Sequence, residues 1–196
     1  MPVKRISCYA VAIILDQQKR YLLTESGEGL MPICTPIGTG RQQAARILHD
    51  YDGSEPDNAL SFTIQDQASL PHFADWFMTR KGRDTSMKPF LVRYLRNNTH
   101  SLENVSAKET FRGFNALTFQ PGGAHSFLTM HLFDVFVFDL GSMTNRLARL
   151  VQAKSPWYFA TANEITHLYT FDNRHINRLA GALLKPRQKL DIGIPS

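Results

Sequence analysis

Apolar residues run almost unbroken from Cys8 to Leu15, and the β-branched character of that run predicts a strand covered on both faces. Asp16-Gln-Gln-Lys19 is a polar turn, and residues 20–25 return as a second strand before Ser26-Gly-Glu-Gly29 breaks it. Residues 31–37 read as a short extended piece, held to a sheet edge because Pro32 and Pro36 cannot donate to a ladder. From Arg41 the period changes. Ala44, Ile47, Leu48 and Tyr51 recur at helical spacing, with Gln42, Arg46, His49 and Asp50 on the other face and Gly53 placed to end the element. Residues 60–64 predict a further strand.

Residues 69–96 break the strand pattern. Ser69 stands where it would cap a helix that turns Phe73, Trp76 and Phe77 inward, and a second helix starts near Pro89 with Leu91, Tyr94 and Leu95 as its stripe. Strands are predicted at 111–119 and 126–140 around Gln120-Pro-Gly-Gly123, the segment 132–140 being the most apolar. Met143, Leu147, Leu150 and Val151 form another helical stripe, followed by a short strand at 157–159. Thr161-Ala-Asn-Glu164 is a capping box opening a helix through Leu168. A last helix over 174–185 carries Ile176, Leu179, Ala180, Leu183 and Leu184 and stops at Pro186. Uneven alternation of strands and helices gives an α+β class, with strands 8–15, 20–25 and 132–140 in one mixed sheet between helices.

The order of these pieces resembles the Nudix fold. The matching stretches are 9–24, Thr35-Pro-Ile-Gly38, the segment from Ala44 to Gly53, residues 131–140 and 157–185. The resemblance implies a single Nudix-like domain over 1–196, with 66–110 as a helical insertion. In that family, glutamates of the box helix hold divalent metal ions that bridge a diphosphate and activate water. Here the Arg-Glu-x-x-x-Glu-Glu part of the pattern falls on Arg46 to Tyr51. Arg46 is kept and Asp50 replaces one carboxylate, but Ile47 and Tyr51 stand in the other carboxylate positions. The preceding loop is also short and lacks its glutamate. One carboxylate cannot clamp Mg²⁺ together with the charge of a diphosphate. A degenerate domain is therefore expected, binding a nucleotide-type ligand or a protein partner in a regulatory or structural role, with no metal site. The alternative is an active hydrolase of a nucleoside-diphosphate-linked compound, using Mg²⁺ and carboxylates from Asp50, Asp52, Glu25 and Glu164.

Composition changes this picture little. Of 196 residues, 43% are hydrophobic and 20% charged, ordinary for a globular chain. Twenty-two Lys and Arg outnumber 17 Asp and Glu, and the resulting +5 favours anionic partners. Cys8 and Cys34 are too few for a disulfide framework and lack neighbours at zinc spacing, which fits a reducing compartment. The run at 8–15 falls far short of the roughly 20 residues that span a bilayer. No cleavage site of a signal peptide follows it, so a cytoplasmic protein with no membrane partner is expected.

Three other groups invite chemistry. Gly38-Thr-Gly-Arg41 precedes a helix, so Gly38, Gly40 and Arg41, with Arg46 on the helix, are candidate phosphate contacts set against plain turn chemistry. Asp134 lies inside the apolar strand on the face of Leu132, Phe136 and Phe138. It needs a hydrogen bond, an ion pair or a polar cavity, and a structural bond is the simpler expectation. Six residues separate His125 and His131, about 20 Å along a strand, too far to share a metal. Finally, Arg80, Lys81, Arg83, Lys88, Arg93 and Arg96 cluster with Phe90 and Tyr94 interleaved, a third alternative being nucleic-acid binding there. A solvated basic face is the bland expectation. The capping box likewise accounts for Glu164 without a functional role.

Overall fold

The computed structural model describes residues 2–38, 43, 47, 60–64, 66–99, 106–120, 127–152, 156–190 and 192. The predicted helix at 41–51 lies outside them, apart from helical Gln43 and Ile47, the latter half-buried against the main core.

β1 (Val3–Ile13) is the organising strand. Its partner β7 (Leu128–Asp139) runs parallel to it, from Val3 beside Leu128 to Ile13 beside Val137. The other edge of β1 is shared by two short antiparallel strands, β4 (Cys34–Pro36) along residues 9–11 and β5 (Ser61–Thr63) along residues 5–7. β6 (Lys108–Phe119) pairs antiparallel with β7 and completes a mixed five-stranded sheet. β2 (Tyr21–Ser26), β3 (Gly29–Pro32) and β8 (Trp157–Ala160) form a separate antiparallel sheet in the order β3-β2-β8.

Placing 20–25 in the same sheet as 8–15 is therefore wrong. Both edges of β1 are already occupied. The Asp16 carboxylate gathers Gln18 N–H, Arg20 N–H and the Arg20 guanidinium into a wide turn that swings β2 away. Pro32 and Pro36 do sit on edge strands, where no ladder donor is needed.

Alternation along the two central strands builds two cores. Ile6, Cys8, Ala10 and Ala12 of β1, with Leu132, Phe136 and Phe138 of β7, face α1 (Leu70–Thr79), α2 (Lys88–Asn98) and α3 (Met143–Gln152). Val11, Ile13, Phe133 and Val135 face the second sheet, α4 (Ala162–His167) and a 3₁₀ turn at Arg178–Leu183. Residues 70–95 are part of the main core: Leu70, Phe73, Phe77, Met87, Leu91 and Leu95 are fully buried in it. Ser69 precedes α1 without capping it through its side chain; the Asp66 carboxylate accepts the Ala68 N–H of the turn before.

The long helix predicted at 174–185 does not form, although Ile176, Ala180 and Leu183 are buried as the stripe implied. Ile176 N–H is spent on the Leu168 carbonyl and Asn177 N–H on the Leu30 carbonyl, so the chain is extended there. Asn177 then caps only the 3₁₀ turn. Among the described residues, no helix is long and apolar enough to cross a membrane.

Candidate functional site

Asp134 is fully buried at the centre of β7, and its partners come from the basic cluster. Arg80 ends α1 in a left-handed conformation, and the turn it opens returns Arg83 to the sheet. The Arg83 guanidinium donates to both Asp134 oxygens at 2.7 and 2.9 Å, and also to the Phe77 carbonyl. Arg80 adds a 3.3 Å contact to the same carboxylate and lies over the Phe111 ring, 3.9 Å from its centroid. Arg83 is thus a core residue, and Arg80 is largely committed to the same pair. Neither is available to a phosphate backbone, which corrects their place in the proposed nucleic-acid surface.

That anchor fixes the wall of a cleft of about 480 Å³ between β4 and the N-terminal half of α2. Thr35, Pro36 and Ile37 form one side, Asp84, Thr85 and Ser86 the other, with Ala10 and Phe136 of the sheet also lining it. Phe90 and Arg93, one turn apart on α2, project into the same space. Phe90 is held by the Tyr94 ring, whose hydroxyl pairs with Thr24 at 2.7 Å. Arg93 is exposed and has no ion-pair partner among the described residues. Glu109 accepts from Ser86 Oγ and from the N–H groups of Met87 and Lys88, occupying two of the free donors at the start of α2.

Gly38 follows the cleft residue Ile37, but its N–H donates to the Asp84 carboxylate at 3.1 Å and its carbonyl accepts from Asp84 N–H. That N–H is already used, so Gly38 makes no open phosphate cradle. Gly40, Arg41, Arg46, Asp50 and Asp52 lie outside the described residues, as does His125. Lys81, Lys88 and Arg96 are exposed.

Glu25 is exposed on β2. Glu164 forms the expected capping box and more. It accepts from Tyr158 Oη at 2.6 Å, from Phe171 N–H at 2.8 Å and from the backbone and hydroxyl of Thr161. Burial pushes this carboxyl up, but the four hydrogen bonds outweigh it and hold it below the usual range. Tyr158 is raised to about 12 by burial and by Glu164. A carboxylate so engaged is a structural fastener.

The opposite face of the mixed sheet holds a second cleft, of about 660 Å³, that motif reading does not reach. Its rings form a row across three strands: Tyr9 and His131 are near-parallel with centroids 5.5 Å apart, and His131 and Phe119 are 4.7 Å apart. Burial, with Arg5 nearby, lowers His131 to about 4, so the ring is neutral at physiological pH. Its Nδ1 is buried without a hydrogen-bond partner among the described residues. The one available signal is the alternation of Arg5, Ser7 and Tyr9, which leads into the apolar run.

Cys8 and Cys34 are free, and burial raises both thiols, Cys34 to about 11. Neither is a thiolate at neutral pH. No group of three or more His, Cys, Asp and Glu positioned for a metal ion occurs among the described residues. No family model, curated protein or solved structure matches the chain.

Proposed function

We propose that this chain is a Nudix-like domain whose cleft between β4 and α2 binds an anionic, nucleotide-type ligand without the family's metal-dependent hydrolysis. The observation that carries this is the joint projection of Phe90 and Arg93 into one cleft. An aromatic face supports a base, and an unpaired guanidinium suits a phosphate, for which its planar donor fork is matched. The volume falls within the range of small-molecule sites. Thr35 and Thr85 add hydroxyls for sugar or phosphate oxygens.

Three further features support the family likeness. A parallel pairing of first and late strands lies inside a mixed sheet, and β4 leads directly into Gly38 and the box segment. Ile47 packs against the main core, as an apolar residue does in place of a metal-binding carboxylate. Partner and role then follow from the chemistry: binding a nucleotide without cleaving it suits regulation.

The test is calorimetric titration with ADP, with and without Mg²⁺, alongside a phosphate-release assay. Saturable binding that needs no metal, weakened at least about tenfold by Arg93→Glu, is expected, with no phosphate released. Absence of saturable binding at millimolar ADP would refute it. Mg²⁺-dependent release abolished by Asp50→Ala would instead establish the hydrolase alternative.

A further inference from the structure

The second cleft lies on the face of the sheet opposite the first, at the N-terminal ends of β1 and β7. Three kinds of group meet there. Ser7, Thr63 and Thr129 put hydroxyls on its floor. Tyr9 and His131 supply ring walls, continued by Phe119 on β6. Lys4 and Arg5 form the rim together because β1 carries an irregularity between Val3 and Arg5. An extra residue in a strand re-aims its neighbours, so two consecutive cations reach one cleft instead of opposite faces. Acidic residues are absent from the described lining.

We propose that this sheet face binds single-stranded nucleic acid, a base extending the Tyr9–His131 ring stack while its phosphates meet Lys4 and Arg5. Charge complementarity and shape both select this occupant. A cationic rim beside stacked rings matches a chain that alternates phosphate and planar base, and a sheet face is a recurrent platform for unpaired bases. Phe119 stacks on the other side of His131, so a base adds to this stack at the Tyr9 end, on the strand that carries Lys4 and Arg5. A duplex keeps its bases stacked inside and cannot use the rings. Neutral His131 stacks without placing a second charge in the ring row.

The test is fluorescence anisotropy of a labelled oligouridine of about 12 nucleotides with the full chain, at salt from about 50 to 200 mM. A duplex of equal length and free UMP serve as competitors. Saturable binding to the single strand is expected, with the duplex and UMP at least about tenfold weaker. Lys4 is exposed, so Lys4→Glu leaves the fold intact. It should weaken binding and flatten the log-log salt slope by about 0.7 for the lost phosphate contact. His131→Ala should weaken binding at least about fivefold with an unchanged slope, and His131→Phe should restore it. Lack of saturable binding at low salt overturns the proposal. So does equal binding of duplex or UMP, or binding lost in Arg93→Glu but untouched by Lys4→Glu, which would move the strand to the first cleft.

Discussion

Replacing Asp134 by Asn removes the one anion among the described residues that pairs with the Arg80 and Arg83 guanidinium groups in the main core. The side chains of Asp134 and Arg83 have no exposure, and that of Arg80 has 22%. In the wild type the desolvation of these charges is offset by a two-pronged pair, by the Phe77 carbonyl and by the Phe77 and Phe111 rings. Asn retains the volume and one acceptor but not the charge, so Arg83 stays buried with no counter-ion. Breaking such a pair costs about 3–5 kcal/mol. With a urea slope of about 2 kcal/mol/M, the midpoint should fall by about 2 M, read by tryptophan fluorescence. Asp134→Leu combined with Arg83→Met removes both buried charges and should recover most of the loss. The Phe77 carbonyl loses both Arg83 donors but keeps the Arg80 N–H, so about 1 kcal/mol stays lost. Because the pair fixes the turn carrying Asp84, Thr85 and Ser86, Asp134→Asn should also weaken ADP binding. A cost below about 1 kcal/mol for the single variant, or a double variant worse than the single, would refute this view of the core.

His131 binds its proton more weakly folded than unfolded, so stability is complete above its ordinary pKa of 6.5 and falls as pH drops toward about 4. Solvent reaches part of the ring and screens the effect, so the loss should be about 1–2 kcal/mol in denaturation series, and His131→Phe should flatten that part of the profile. Thr161→Ala opens the capping box and should cost about 1 kcal/mol in the same assay, within the 0.5–2 kcal/mol span of N-cap truncations. Gly113 has φ +141 at the irregularity in β6, and a Cβ there meets the Arg187 carbonyl, which is hydrogen-bonded to Phe114 N–H at 2.7 Å. Gly113→Ala should therefore destabilise by more than about 1 kcal/mol and free the 187–190 segment to proteolysis.

The elements with strong local periodicity were readable in advance: β7, α1, α2, α3 and the box at Thr161 all lie where the pattern puts them. Long-range pairing was not. Asp134 stood out as a lone acid in an apolar strand, yet its partner Arg83 lies 51 residues away in a run of cations that looks solvated, and no local signal joins them. Strand 20–25 was right as a strand and wrong in its sheet, because edge occupancy by β4 and β5 is decided by residues far along the chain. The apolar stripe at 176–184 marked burial correctly but not helix, since Ile176 and Asn177 bond to other segments. Phe90 and Arg93 stood in the sequence only as members of a basic cluster with interleaved aromatics; the cleft that joins them required the fold. The ring row of Tyr9, His131 and Phe119 draws one residue from each of three strands, so no stretch of sequence displays it.

Hydrogen–deuterium exchange of the full chain with and without ADP locates the ligand most directly. Occupation of the cleft between β4 and α2 predicts slowed exchange concentrated in residues 34–38 and 84–93, lost in Arg93→Glu. Protection confined to other segments, or none at ADP concentrations that saturate binding, would contradict a nucleotide site in this cleft.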